Sequence, residues 1–360
     1  MNIFNVGAWR PPSHKLRAAR LGAANALVAR TLAAHGLRPT SGPKRRSGQS
    51  TMTTMPESLN PTPQPENASV SPISSGAVFR QEQYSCKAGS RKYRVYVPST
   101  AAQGVTGIVV MLHGCKQTPE DFATGTGMNA LAEQHGFVVI YPGQSRGDNA
   151  QSCWNWFSRG DQRRERGEPA ILAGLTRQVM AEFNTPPRRT FVAGLSAGAA
   201  MAVILGQTHP DIFAAVGAHS GLPFGAANSV PSAFAAMAGN AMTAPAANDN
   251  GKAARAIVFH GSADSVVHPS NGDRIHQDAH SRTTGQTIET EEENTVCGRR
   301  VNRSTVLCPN GESLVEHWRI DGLGHAWSGG NPKGSYTDAN GPDASAEMIR
   351  FFFEPSHKDT

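Results

Sequence analysis

The chain contains no run of about eighteen consecutive apolar residues, so no segment reads as a membrane-spanning helix. Its cysteines include no Cys-x-x-Cys pair and none has the spacing of a zinc site, so neither a metal nor an organic cofactor is expected. There is no acid among the first fifty residues, against nine Lys or Arg, while residues 51–77 hold two acids and no base. The formal charge of +6 therefore resides in the N-terminal segment, and the remainder carries one more acid than base. A basic catalytic surface for nucleic acid is not indicated. Residues 40–77 are dominated by Pro, Ser, Thr, Gly and Asn, too poor in bulk to bury a core. This predicts a mostly disordered arm over 1–77 and one folded domain over 78–355.

The arm also lacks the apolar centre of a secretory signal, because Arg20 and Arg30 interrupt it on either side, which points to the cytoplasm. Within it, His14 to His35 is weakly amphipathic, with Leu21, Ala24, Val28 and Leu32 along one side. That stripe suits adhesion to an anionic membrane or a polymer granule. A dispensable tail, or a start site assigned too early, is the simpler reading. Five cysteines leave at least one unpaired. Cys297 and Cys308 bracket a segment short enough for a hairpin and are one candidate disulfide; Cys115 and Cys153 are another, leaving Cys86. Such pairs would mean maturation in an oxidising compartment, against the missing signal.

What the chain does have is alternation. Lys92–Val97 reads as an antiparallel strand with one wet face, and Gly107–Leu112 as a continuously apolar central strand. Further strands are expected at Phe137–Pro142, Arg189–Ala193, Ala214–Ala218, Ala256–His260 and Leu314–Ile320. Thr118 caps a helix that should run to about Gln134 and stop at Gly136; others are expected at Glu168–Asn184, Ala199–Leu205 and Ser345–Phe353. Strands alternating with helices build a mostly parallel sheet with helices on both faces, the α/β class. The Ala-rich stretch over 228–250 is expected to lie over the surface.

Gly194-Leu195-Ser196-Ala197-Gly198 sits between one such strand and helix, the context in which a strained turn lifts a serine hydroxyl clear of the backbone. A serine needs a general base, and the base an orienting carboxylate. In α/β-hydrolases these follow in the order Ser, acid, His, each after a strand. Asp264 and His325 fit, ahead of the rivals Asp273, Asp278 and Asp321 for the acid and His219, His260, His268 and His317 for the base. The rivals at strand ends, His219 and His260, read as structural. The amides of Ala197 and Cys115 are the candidate oxyanion donors. Trp327, Trp154 and Asn155 are candidate substrate contacts, although Trp154 and Trp156 also have the spacing of a buried strand.

From about Phe79 to Phe353 the chain resembles the catalytic domain of the poly(3-hydroxybutyrate) depolymerase family of esterases, related to feruloyl and acetylxylan esterases. The resemblance is carried by Leu112-His113-Gly114-Cys115, Cys153-Trp154-Asn155-Trp156-Phe157, the Ser196 elbow, His260-Gly261-Ser262-Ala263-Asp264 and Gly324-His325-Ala326-Trp327-Ser328-Gly329-Gly330. It implies an α/β-hydrolase fold and Ser196, Asp264 and His325 as a catalytic set. It also implies Cys115 as an oxyanion donor paired with Cys153, an extracellular enzyme, and a polyester, an oligomer or a small ester as substrate. No separate polymer-binding module is recognised after the last helix, which favours soluble oligomers or short-chain esters. The competing expectation is a non-catalytic module that binds a granule or surface.

Overall fold

The computed structural model describes residues 75–242 and 254–353. Residues 1–74 of the arm, and with them the proposed adhesive stripe, lie outside the described residues. Ten strands form one sheet: β1 (Val78–Cys86), β2 (Gly89–Val97), β3 (Ile108–Leu112), β4 (Val138–Pro142), β5 (Thr190–Leu195), β6 (Ala215–His219), β7 (Arg255–Gly261), β8 (Ile288–Val296), β9 (Arg299–Leu307) and β10 (Ser313–Ile320). Their order is β1-β2-β4-β3-β5-β6-β7-β10-β9-β8. The six central strands, from β4 to β10, are parallel, and an antiparallel hairpin closes each end.

The parallel strands are buried on both faces, and their alternation sorts side chains into two cores. Val110, Ile140 and Val192 pack on one face with Leu172 and Met201, from α3 (Gly167–Glu182) and α4 (Ala197–Thr208). Val109, Val139 and Phe191 pack on the other with Phe122, Ala132 and Phe352, from α1 (Pro119–Thr126), α2 (Met128–His135) and α7 (Ala344–Phe353). Phe191 stacks on Phe352 with centroids 4.9 Å apart. Each such large side chain removed from water contributes about 1.5–3 kcal/mol.

The single helix expected after Thr118 is two helices. Gly127 takes a left-handed conformation (φ 64°) that ends α1 and starts α2, and Gly136 ends α2 as expected. Within the Ala-rich stretch, α5 (Val230–Met237) has a Ser229–Ser232 capping box and buries Ala233 and Ala236. The hairpin β8–β9 and the polar helix α6 (Ser270–Ser281) were not anticipated. β8 carries Glu289, Glu291, Glu292 and Glu293 and is exposed along nearly its whole length at the sheet edge, so no apolar period marks it. The expected Cys297–Cys308 bridge does not form, and the hairpin itself is the reason. Cys297 lies in the turn, with Val296 opposite Arg299, whereas Cys308 follows Leu307 at the far end of β9, a full nine-residue strand away.

Candidate active site

Ser196 stands between β5 and α4 with φ 57° and ψ −118°, a backbone state that costs an L-residue about 1–3 kcal/mol and persists only where its surroundings enforce it. They do. The Ser196 amide donates to the His219 carbonyl oxygen at 2.9 Å, and its own carbonyl accepts from the Ala200 amide at 3.0 Å. The flanking glycines allow backbone to touch backbone: a Cβ on Gly198 would lie 2.0 Å from the Leu112 carbonyl oxygen, and one on Gly194 2.5 Å from the Gly198 carbonyl carbon. The end of β3 is thereby pressed against the start of α4.

Asp264 follows β7 and His325 follows β10, the next strand in the sheet. His325 Nδ1 lies 2.8 Å from Asp264 Oδ2, while the amides of Val266 and Val267 both donate to Oδ1 at 2.9 Å. Burial alone would raise this carboxyl, but the close approach of His260 at 3.5 Å and hydrogen bonds from His325 and the Val267 amide outweigh it and hold Asp264 far below the usual carboxylate range. Asp264 therefore stays ionised, and an ionised Asp264 fixes the hydrogen of His325 on Nδ1, leaving Nε2 as the basic nitrogen.

His219 links the elbow to the histidine loop. Its carbonyl holds Ser196, and its Nε2 accepts from the Ser328 amide at 3.1 Å, three residues beyond His325. Burial, with help from His260 and His325, lowers His219 to about 3, so the ring stays neutral and can accept. The loop after β3 is built with similar care. His113, lowered to about 4 by burial, accepts from the Gln144 amide through Nε2 at 3.1 Å and faces the Gly114 carbonyl through Nδ1 at 2.7 Å. Gln117 accepts from the Gly114 amide at 2.8 Å and donates to the Ser335 carbonyl at 2.9 Å, tying this loop to the segment beyond His325. Among the described residues, the amides of Cys115 and Ala197 donate to no protein group, which leaves both available to a negative oxygen.

Cys115 is joined to Cys153 by a disulfide. Behind Cys153 lies a buried polar cluster. Gln144 donates to the Cys153 carbonyl at 3.0 Å and also to Glu168; Asn155 donates to Glu168 through its amide at 2.8 Å and its side chain at 2.9 Å; and Arg91 approaches Glu168 at 3.6 Å. Burial, reinforced by Asp161, raises Glu168 to about 7 against these donors.

Two of the expected substrate contacts are placed elsewhere. Trp154 is fully buried and donates to the His113 carbonyl at 3.0 Å, under the loop. Trp327 is 1% exposed, donates to Ser345 at 3.1 Å and stacks on His219. Both are core supports, because a buried indole N–H needs a protein partner and each has one. Asn155 is half-buried, with its side chain engaged by Asn149 and Glu168. Sequence reasoning missed Gln117, Glu168, and the linking role of His219. Only the position of His219 at the end of the strand beside the elbow could have signalled it.

The sequence profile of a family described as Esterase PHB depolymerase matches residues 91–291. The chain is 34% identical over 284 residues to the poly(3-hydroxyalkanoate) depolymerase C of Paucimonas lemoignei, covering 74% of this chain and 66% of that protein. It is 28% identical over 215 residues to acetylxylan esterase A of Talaromyces purpureogenus, covering 55% of each. It thus spans about half to two thirds of the length of the curated relatives it matches. Among solved structures, an acetyl xylan esterase from Aspergillus awamori shares the fold, with a TM-score of 0.57 at 21% identity over 76% of this chain and 98% of that one.

Proposed function

Since the chain belongs to the Esterase PHB depolymerase family, we propose that it is a serine esterase whose catalytic domain spans 78–355 and whose nucleophile, base and orienting acid are Ser196, His325 and Asp264. The observation that carries this is the enforced backbone of Ser196 at the strand–helix turn, set in the same sheet that delivers the hydrogen-bonded Asp264–His325 pair. His325 Nε2 takes the Ser196 proton as the hydroxyl oxygen attacks the ester carbonyl, and the amides of Cys115 and Ala197 hold the oxygen that becomes negative. As the tetrahedral centre collapses, the alkoxy bond breaks and His325 returns the proton to the departing alcohol. Water then repeats the sequence on the acyl-serine and releases the acid.

The substrate read from the relatives is a short polyester of 3-hydroxy acids, poly(3-hydroxybutyrate) or its oligomers. The acetylxylan esterase relatives support acetylated or small esters as the second reading. The Cys115–Cys153 bridge supports maturation in an oxidising, extracellular setting. Reaction with a fluorophosphonate, followed by peptide mapping, should label Ser196, and Ser196→Ala should lower turnover by on the order of 10⁶. An unlabelled, folded native protein would mean a binding module in place of an enzyme. Side-by-side hydrolysis of 3-hydroxybutyrate oligomers, acetylated xylan and p-nitrophenyl acetate decides the substrate class.

A further inference from the structure

His260 is the penultimate residue of β7, the strand that delivers Asp264, and is 2% exposed. Its two nitrogens meet different surroundings. Nε2 lies 2.9 Å from the Val267 carbonyl oxygen and 3.5 Å from Asp264 Oδ2. Both neighbours are acceptors, so Nε2 carries the hydrogen and Nδ1 is the bare nitrogen. Nδ1 is buried without a hydrogen-bond partner and faces Gly272 of α6, where a Cβ would come within 2.8 Å of it. Gly272 thus lets the ring sit deep enough for Nε2 to reach the carboxylate. Asp264 is approached by two amides on Oδ1 and by two imidazoles, His325 at 2.8 Å and His260 at 3.5 Å, on Oδ2.

We propose that His260 is a positioning residue for the hydrolytic reaction: it bridges Val267 to Asp264 and shares Oδ2 with His325, setting the orientation of the carboxylate and how much of its charge His325 feels. The proposal rests on the roles given to Asp264 and His325 above. A second N–H dipole facing Oδ2 at 3.5 Å offsets part of the charge on that oxygen and weakens its hold on a protonated His325. Removing that donor therefore makes His325 more basic.

The other ionisable groups around His260 keep this effect readable. On one side stands His219 of β6. On the other, β10 brings His317 and Arg319, the latter directly across the strand pair from His260. From α6, Asp273 pairs with Arg319 at 3.0 Å and approaches His317 at 3.8 Å, and His276 stacks on His317 with centroids 5.6 Å apart. Burial lowers His219, His276 and His317, so these rings are neutral near pH 7 while Arg319 and Asp273 offset one another. The charge that His260 meets at close range is that of Asp264.

His260→Leu removes the donor and keeps bulk, whereas His260→Gln keeps an N–H at a reach close to that of Nε2. With a soluble p-nitrophenyl ester, the Leu variant should lose on the order of tenfold in kcat, the low end of the value of a hydrogen bond to a charge because Nε2 faces Oδ2 at 3.5 Å. Its KM should stay unchanged, and the acid limb of its kcat/KM profile should move to higher pH. The Gln variant should recover most of the turnover and the native limb. Native turnover and limb in His260→Leu overturn the proposal, as does an equal loss in both variants that follows their thermal midpoints. If His260→Leu does not fold, Gly272→Ala presses on the ring from behind: a moved acid limb supports the proposal and an unmoved one overturns it. Fluorophosphonate labelling separates the two levels. An unlabelled native chain removes the hydrolytic reading itself, while normal native labelling with an unchanged rate in His260→Leu removes only the role of His260.

Discussion

On one side of Ser196, the loop that offers the Cys115 amide is fastened by a disulfide and by a buried cluster containing Arg91, Gln144 and Glu168. On the other, the loops carrying Asp264 and His325 are fastened by backbone amides and by the neutral imidazole of His219, without a covalent tie. The difference follows the work each side would do. Dipoles aimed at a developing negative charge are effective only if they need no rearrangement when it appears, so a rigid fastening suits them. A base that gains and returns a proton needs neighbours that tolerate a charge coming and going.

Three perturbations separate the two sides. The largest effect is expected from Asp264→Asn, which takes away the acceptor that selects the His325 tautomer: kcat should fall by roughly 10⁴ in folded protein, and the thermal midpoint should fall as well, because a carboxylate that its neighbours keep ionised is replaced by a neutral amide. A modest loss would show that the base side does not depend on this carboxylate. Next, Cys153→Ser opens the covalent fastening on the other side and should cost about 2–4 kcal/mol, read as a lowered urea midpoint. An unchanged midpoint would remove the claim that the two sides are held differently.

The smallest effect is one of pH. Glu168 is raised from the ordinary 4.5 to about 7, so between those values the unfolded chain releases a proton that the folded protein keeps. Stability is therefore lost as pH rises through that window, at up to about 1.4 kcal/mol per pH unit, and Glu168→Gln should remove the slope. The variant should gain on the native protein at pH 8 and not at pH 4, measured by urea unfolding. His219 has the opposite sign. Lowered from 6.5 to about 3, it stabilises nothing by protonation, and the fold weakens as pH falls below 6.5.

The parts legible in the sequence were those written in local pattern. The apolar runs at 108–112 and 190–195 stand out because both faces are buried, and the elbow because glycine is required on either side of it. Asp264 and His325 could be singled out because each follows such a strand. The indoles of Trp154 and Trp327 misled because an aromatic beside a reactive motif looks the same whether it lines a cleft or supports it from below. Only the tertiary partners, the His113 carbonyl and Ser345 Oγ, separate the two. Glu168 and Gln117 were invisible for a related reason: their partners lie on other elements, and neither sits in a recurring spacing. β8 was missed because its side chains alternate between nothing and nothing, both faces being open to water.

That same outer strand has a consequence for the protein in concentrated solution. An edge strand presents unpaired backbone groups to any other edge it meets, and four glutamates in five residues, two of them paired with Arg300 and Arg303 of β9, keep this one charged. Acidification towards pH 4 protonates the glutamates but leaves Arg300 and Arg303 charged, so the rim changes from mixed charge to positive and two such edges still meet as like charges.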